Sequence, residues 1–276
     1  MNNSDENSTE TSEDSRPAEN SQAAEGSRAA EGSQAAEGSR AAEGSRAAEG
    51  SQAAEAARQE AFRALLRAQP VWDIGELPVF DPSTAPTGPL PLFRRWFAEA
   101  VAAGQPEPHT MTLATADERG RPDVRTLMLH DADAQGWHFA SHATSRKGRQ
   151  LAVRPEAALG FYWPAQARAV RIRGAVRTAG PEESSADLHA RSTGALAAAL
   201  VGRQSEVLCS ARELAEASEA AWRRAQREPG AEAASWTAYV LVPDEVEFFQ
   251  GEARRRHVRL RYRREGDAWV RELLWP

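Results

Sequence analysis

The stretch "TMTLATADERGRPDVRTLMLHDADAQGWHFASHA", Thr110 to Ala143, decides how the rest of the chain is read. Three short runs, "TMTLATA", "DVRTLMLHD" and "WHFASHA", are separated by the turn signals "DERGR" and "ADAQG". Short apolar runs bounded by Asp and Gly form antiparallel strands. In the second run Thr126 and Met128 flank Leu127 and Leu129, so the alternation is weak. That pattern predicts a strand buried on both faces, and a buried Arg125 there needs an anionic partner.

Working outward, "AALGFYW" and "ARAVRIRGAVRT" read as a further strand pair. In the second of these Val170, Ile172 and Gly174 share one face, and Arg171 and Arg173 share the other. A helical block follows from about Pro181 to Arg227, broken near "STG" and "VGRQSE". The chain finishes with the strands "SWTAYVLVP", "EVEFFQG", "HVRLRYRR" and "DAWVRELLW". Towards the N-terminus, "LFRRWFAEAVAAG" places Leu92, Phe93, Trp96, Phe97 and Val101 at helical spacing, with Gly104 as a stop. The segment before it, "VWDIGELPVFDPSTAPTGPLP", is too rich in Pro and Gly for a regular element. An Ala-rich helix is expected from near Ser51 to Pro70. Mostly antiparallel strands with a helical insertion give an α+β barrel.

Residues 1–56 have another character. No aromatic residue and no Leu, Ile or Val occurs before Phe62, and a hexad repeat, "SQAAEG" or "SRAAEG", recurs from Ser21. Ala alone buries too little to offset ordering entropy, and the Gly of each hexad weakens a helix, so a disordered acidic tail is expected. This tail carries twelve acids and four arginines, a net of −8 within a whole-chain charge of −6, which leaves +2 for the remainder. A nearly neutral folded part argues against a general nucleic-acid binder. Cys209 is the single cysteine, which excludes an intrachain disulfide, and no catalytic-cysteine signature surrounds it. With no basic-then-apolar leader and no apolar run near the roughly 18 residues of a membrane span, a cytoplasmic protein is expected.

The segment "TSRKGRQL", Thr144 to Leu151, follows a strand and has the Ser/Thr of a helix N-cap. Free N–H groups at a helix start favour an anion, and Arg146 and Lys147 add two cations, so a phosphate group fits there. Lys147 is the only lysine in a chain with 33 arginines, which points to a demand for a compact ammonium. The alternative is a capped helix with ordinary surface bases. "GRQSE", Arg203 to Glu206 with its leading Gly202, supplies amide and hydroxyl groups at a helix break. The six histidines form no metal site: His138 and His142 are four apart, but on a strand and loop instead of one helix face.

These pieces stand in a recognisable order. From about Pro91 to Pro276 the chain resembles the pyridoxine/pyridoxamine 5′-phosphate oxidase family, through "LFRRWFAEAVAAGQPEPHTMTLATAD", "RGRPDVRTLML", "SRKGRQL", "FYW", "RIRG", "GRQSE", "VEFFQG", "RRHVRLRY" and "DAWVRELLWP". The resemblance implies an FMN-binding split β-barrel over residues 91–276, preceded by a helix and Pro-rich linker over 57–90, with FMN at a homodimer interface. By position, Arg125, Thr126, Leu127, Met128, Leu129 and His130 would run along the flavin, with Ala140 and Ser141 beside it. Arg146 and Lys147 would grip its phosphate, Gln204 and Ser205 would add contacts, and Phe249 and Arg259 would complete the cofactor set. Ala169 replaces a glutamine of the family, removing one hydrogen bond of about 0.5–1.5 kcal/mol.

For the substrate, the family's phosphate grip of Lys, Tyr, Arg and Ser reads here His130, Asp187, Arg191 and Ala195. One of the four is kept. Arg255 and His257 match the pair that flanks the substrate ring and are the expected catalytic residues. The resemblance implies oxidation of the amine or alcohol of pyridoxamine or pyridoxine 5′-phosphate, or of a related ring substrate, with O2 giving H2O2, in pyridoxal phosphate biosynthesis. The alternatives are a phenazine-biosynthesis-type oxidase acting on a non-phosphorylated ring, or a non-enzymatic flavin or deazaflavin binder. In "QGEARRRHVRLRYRR", strand period sets Val258, Leu260 and Tyr262 on one face and Arg255, His257, Arg259, Arg261 and Arg263 on the other.

Overall fold

The computed structural model describes residues 52, 54–70 and 77–276. The expected tail of residues 1–56 lies almost wholly outside the described residues. The chain divides into Met1–Pro70 and Val71–Pro276. In the first unit, residues 54–67 form a helix, α1, with Phe62, Leu65 and Leu66 exposed.

The second unit is built on one nine-stranded antiparallel sheet. Its first strands are β1 (Thr110–Ala116), β2 (Pro122–Met128), β3 (Asp131–Ala132) and β4 (Trp137–His142). β5 (Glu156–Trp163), β6 (Arg168–Thr178), β7 (Trp236–Gln250), β8 (Val258–Glu265) and β9 (Ala268–Leu273) follow. The order is β2-β1-β5-β6-β7-β4-β3, with β8 pairing β7 and β9 pairing β8. The expected strands "SWTAYVLVP" and "EVEFFQG" are one strand, β7. Pro243 does not break it because the pairing shifts register at Arg173/Gly174, opposite that proline, and a bulge tolerates its missing N–H. A side chain at Gly174 would meet the Val242 carbonyl oxygen at 2.0 Å, so only glycine fits this crossing.

One helix fills the concave side of the sheet. α2 (Pro89–Ala102) starts three residues earlier than its apolar pattern, because Pro is tolerated in a first turn that has no N–H partner to lose. It buries Leu92, Phe93, Trp96 and Ala100. Phe93 meets Phe161 and Trp137 edge-on at 5.2 and 5.5 Å, and Trp96 meets Phe248 at 5.1 Å. Residues 77–90, expected as a linker, pack against the sheet: Phe80 and Ala85 are buried, and the Tyr262 hydroxyl donates to the Pro86 carbonyl.

α3 (Arg146–Val153) follows β4, and α4 (Pro181–His189), α5 (Thr193–Val201) and α6 (Ala211–Arg227) lie between β6 and β7. The last three enclose a small core of Leu188, Leu196, Ala197, Ala199 and Ala225, with Trp236 against it. β2 corrects the expectation of burial on both faces. It ends the sheet order, and its side chains alternate, with Val124 and Met128 exposed at 63% and 50%. Among the described residues no helix is long and apolar enough to cross a membrane.

Candidate functional site

Ser145 caps α3: its hydroxyl accepts from the Gly148 N–H at 3.2 Å, as the "TSRKG" pattern predicts. A side chain at Gly148 would meet the Ala143 carbonyl oxygen at 2.3 Å, so the strand-to-helix turn closes tightly here. This turn swings Arg146 and Lys147 beside the edge strand β2 and the loop after α5. Asp123, Val124, Arg125, Thr126, Leu127, Arg146, Lys147, Gln204 and Ser205 line one pocket of about 320 Å³. Seven of the expected cofactor residues are thus brought together. Ser141 joins them indirectly: Lys147 Nζ donates to Ser141 Oγ at 3.0 Å and to Gln204 Oε1 at 2.8 Å. Ala140 is buried next to Ser141 on β4.

Charge in this pocket is unbalanced. Arg125, Arg146 and Lys147 face a single carboxylate, Asp123, which Arg125 approaches to 3.0 Å and Arg146 to 3.1 Å. Burial and the neighbouring Arg125 charge pull Lys147 down to about 8, with Asp123 opposing. Burial works against the Asp123 carboxylate, but the Gln150 amide and the two guanidiniums still hold it below its ordinary range. The surplus of two positive charges fits a phosphate dianion, which also finds the Ser205 hydroxyl and the amides at the head of α3. Ser205 holds φ +75, a left-handed conformation that places its Oγ 3.2 Å from the Arg146 N–H.

Sequence reasoning missed the supports of this pocket. Asp123 shares a β2 face with Arg125 at strand period, and Gln150 lies one helical turn past Arg146 and Lys147. Gln150 Oε1 accepts from Arg125 at 3.0 Å and from Thr115 Oγ1 at 2.6 Å, locking the guanidinium. The i, i+2 and i, i+4 spacings were the available signals.

A second cluster lies farther along. Leu129 and His130, past the end of β2, line a pocket of about 310 Å³ with Phe93, Arg94, Phe97, His109, Asp131 and Ala132. His130 Nδ1 is 2.9 Å from Asp187 Oδ1, and Arg191 lies 3.1 Å from Asp187 Oδ2. Trp236 Nε1 donates to the same carboxylate at 2.9 Å, and the Arg191 guanidinium sits 4.7 Å over the Trp236 ring. Burial opposes ionisation, but hydrogen bonds from His130 and Trp236 and the Arg191 charge bring Asp187 down to about 2. Trp236 also contacts His142 edge-on at 5.2 Å, and burial followed by the Lys147 charge lowers His142. The two clusters are therefore linked through Trp236 and His142. Ala195 sits in the first turn of α5, its N–H accepted by Ser192 Oγ.

Arg255, His257, Phe249 and Arg259 belong to neither pocket. They sit at the β7–β8 end, whereas Trp236 starts β7, about 40 Å away along the strand. The expected strand face needs correction: β8 begins at Val258, so Arg255 and His257 occupy the preceding turn, and Arg255 holds φ +65. His257 Nδ1 accepts from the Glu252 N–H at 3.1 Å, which leaves the ring proton of the neutral form on Nε2. Its ring lies 5.1 Å from that of Phe249. Arg259 pairs with Glu247 at 2.7 Å. Arg261 and Arg263 pair with Glu272, and Leu260 and Tyr262 are buried, as strand period predicts. Cys209 is exposed. No metal-holding group of His, Cys, Asp or Glu occurs among the described residues.

Comparison with known proteins agrees with this architecture. Residues 97–248 match the pyridoxamine 5′-phosphate oxidase family model, and residues 236–276 match that of the pyridoxine 5′-phosphate oxidase C-terminal dimerisation region. A pyridoxine/pyridoxamine 5′-phosphate oxidase of Pseudomonas fluorescens (strain SBW25) is 43% identical over 194 residues, covering 70% of this chain and 90% of the relative. One from Paraburkholderia phymatum is 41% identical over 206 residues, covering 74% of this chain and 95% of the relative. Among solved structures, PhzG from Burkholderia lata 383 in complex with tetrahydrophenazine-1-carboxylic acid superposes with a TM-score of 0.68 at 30% identity. It covers 73% of this chain and 100% of its own. With the α+β split-barrel architecture in place, the chain belongs to the pyridoxine/pyridoxamine 5′-phosphate oxidase family.

Proposed function

We propose that this protein is an FMN-dependent oxidase that oxidises the amine or alcohol carbon of a pyridoxamine- or pyridoxine-like ring substrate with O2. The observation that carries the reading is the pocket of Arg125, Arg146 and Lys147 around the single carboxylate Asp123. Those three cations, with Gln204 and Ser205, would hold the cofactor phosphate, while residues 125–128 of the edge strand and Leu129 and His130 beyond it would run beside the ring. FMN, when bound, supplies the two-electron acceptor. For an alcohol the overall reaction is RCH2OH + O2 → RCHO + H2O2; for an amine, water enters and ammonia leaves.

Arg255 and His257 would orient the ring, with the neutral His257 ring carrying its proton on Nε2 because the Glu252 N–H is donated to Nδ1. The β7–β8 turn lines neither pocket, which supports a homodimer in which a second copy delivers Arg255 and His257 to the cation pocket. Exposed Val124 and Met128 beside the pocket, and Leu273 and Trp275 at the other end of the molecule's sheet, supply apolar surface for such a contact. Residues 91–276 carry this activity, with residues 57–90 and the tail outside the chemistry.

A second reading, a non-phosphorylated ring substrate, is favoured by the pairing of Arg191 with Asp187. The experiment is anaerobic mixing of the purified, yellow protein with pyridoxamine 5′-phosphate and with a panel of ring-bearing amines and alcohols. Bleaching of the flavin band by one of them is expected. A colourless protein that takes up no FMN, or a flavin band that no such compound bleaches, refutes the oxidase reading.

A further inference from the structure

The chain holds two places where arginine meets carboxylate near the proposed site, and their charge balance differs. In the first, Arg125, Arg146 and Lys147 share one carboxylate, so two positive charges remain for a ligand. In the second, Arg191 and Asp187 cancel. Asp187 Oδ1 lies 2.9 Å from His130 Nδ1, its Oδ2 accepts from Arg191 at 3.1 Å and Trp236 at 2.9 Å, and Arg191 also reaches Oδ1 at 3.4 Å. The guanidinium is further fixed over the Trp236 ring. A phosphate arriving here would have to displace a carboxylate and then lie beside it, two like charges in a partly desolvated place. The side chains of His130, Asp187 and Arg191 are 23%, 20% and 19% exposed, so the cluster is open to a small ligand group but not freely solvated. A neutral hydroxyl suits it, donating to Asp187 or accepting from Arg191 without separating them.

We infer that Asp187 is a specificity-determining residue that closes the His130–Arg191 side of the site to phosphate, so that the substrate is a ring-bearing amine or alcohol whose corresponding arm is uncharged. The identity of this cluster as part of the substrate site rests on the oxidase reading above. The chain of contacts from Asp187 to Trp236 to His142, which follows the Lys147 partner Ser141 on β4, supports it independently of that reading. Asp187 holds Trp236 by its Nε1, and His142 meets the same ring edge-on at 5.2 Å. One sequence change, Asp187→Asn, removes the negative charge while keeping an oxygen for Trp236 Nε1.

The test compares binding of 4-deoxypyridoxine and its 5′-phosphate, both of which carry a methyl group in place of the alcohol or amine arm at the 4-position, to the purified full chain by calorimetry. The unmodified protein is expected to bind the phosphorylated compound no more tightly than the free one. In Asp187→Asn the ratio of the two dissociation constants is expected to move at least tenfold towards the phosphate. Because both ligands are measured on the same protein, partial loss of folded material cancels from the ratio. Tighter binding of the phosphorylated compound by the unmodified protein overturns the inference. So does a shift below tenfold in the variant, and so does binding of neither compound by either protein. Failure of the oxidase reading is seen separately, as the absence of flavin bleaching with every ring substrate while the binding ratio still reports on Asp187.

Discussion

Replacing Lys147 by Met is expected to stabilise the flavin-free protein and weaken its hold on FMN, two effects of opposite sign from one side chain. Burial lowers the Lys147 ammonium from 10.5 to about 8. At about 1.4 kcal/mol for each decade of proton affinity, keeping it charged at neutral pH costs the flavin-free fold roughly 3 kcal/mol. Its hydrogen bonds to Ser141 and Gln204 return part of this. At about 1 kcal/mol each, they leave a net cost of roughly 1 kcal/mol that Met removes. For a domain of this size the flavin-free Tm should rise by about 2–4 °C.

The pH dependence checks the cause. Between pH 8 and 10.5 the unfolded chain binds more protons at this lysine than the folded chain does, so stability rises with pH across that window. The cost is complete below the window and absent above it. Lys147→Met should lose that rise. With FMN the balance inverts, because a phosphate beside the ammonium restores its charge, and a hydrogen bond between two charged groups is worth about 1.5–3 kcal/mol. The variant should therefore bind FMN about 10- to 150-fold more weakly. Thermal unfolding of stripped protein across pH, with FMN titration by fluorescence quenching, measures both. A stripped variant several degrees less stable than the parent, with FMN affinity within threefold, would refute the reasoning.

Two further outcomes follow from geometry. Arg255→Ala should lower the rate of flavin bleaching by substrate at least tenfold while FMN stays bound, since Arg255 lies in the β7–β8 turn, outside the cation pocket; unchanged bleaching would remove it from the site. Gly148→Ala would drive a methyl group to within 2.3 Å of the Ala143 carbonyl oxygen, backbone against backbone, costing about 3 kcal/mol or more. A fall in Tm of at least about 6 °C is expected, and a variant as stable as the parent would contradict the tight β4–α3 turn.

The cofactor pocket was legible because its parts are local. The Ser145 cap, the Arg146–Lys147 pair and the strand carrying Arg125 are each set by a few neighbouring residues, and Lys147 stands out in a chain otherwise written in arginine. Asp123 and Gln150 went unnoticed because each looks ordinary until β2 and α3 are side by side. The arginine-rich stretch after Gly251 shows the opposite failure. Strand period extended its polar face back to Arg255, but the turn ends the strand at Val258, and Glu245, Glu247 and Glu272 on β7 and β9 absorb its charge.

By itself the sequence determined the antiparallel strands, the helical insertion between β6 and β7, the buried stripe of α2 and the cation pair at the head of α3. Each depends on periodicity and capping within about ten residues, which the chain carries with it wherever it folds. The tertiary structure alone decided that β2 is an edge with one exposed face, that β7 is one strand through Pro243, and that His130 and Trp236 close on the Asp187 carboxylate. Those outcomes depend on which distant segments become neighbours. Charge balance above all is a property of neighbours: Asp187 and Arg191, four residues apart, pair locally, but His130 and Trp236 reach that carboxylate from distant segments, while Asp123 is too few for the three cations around it.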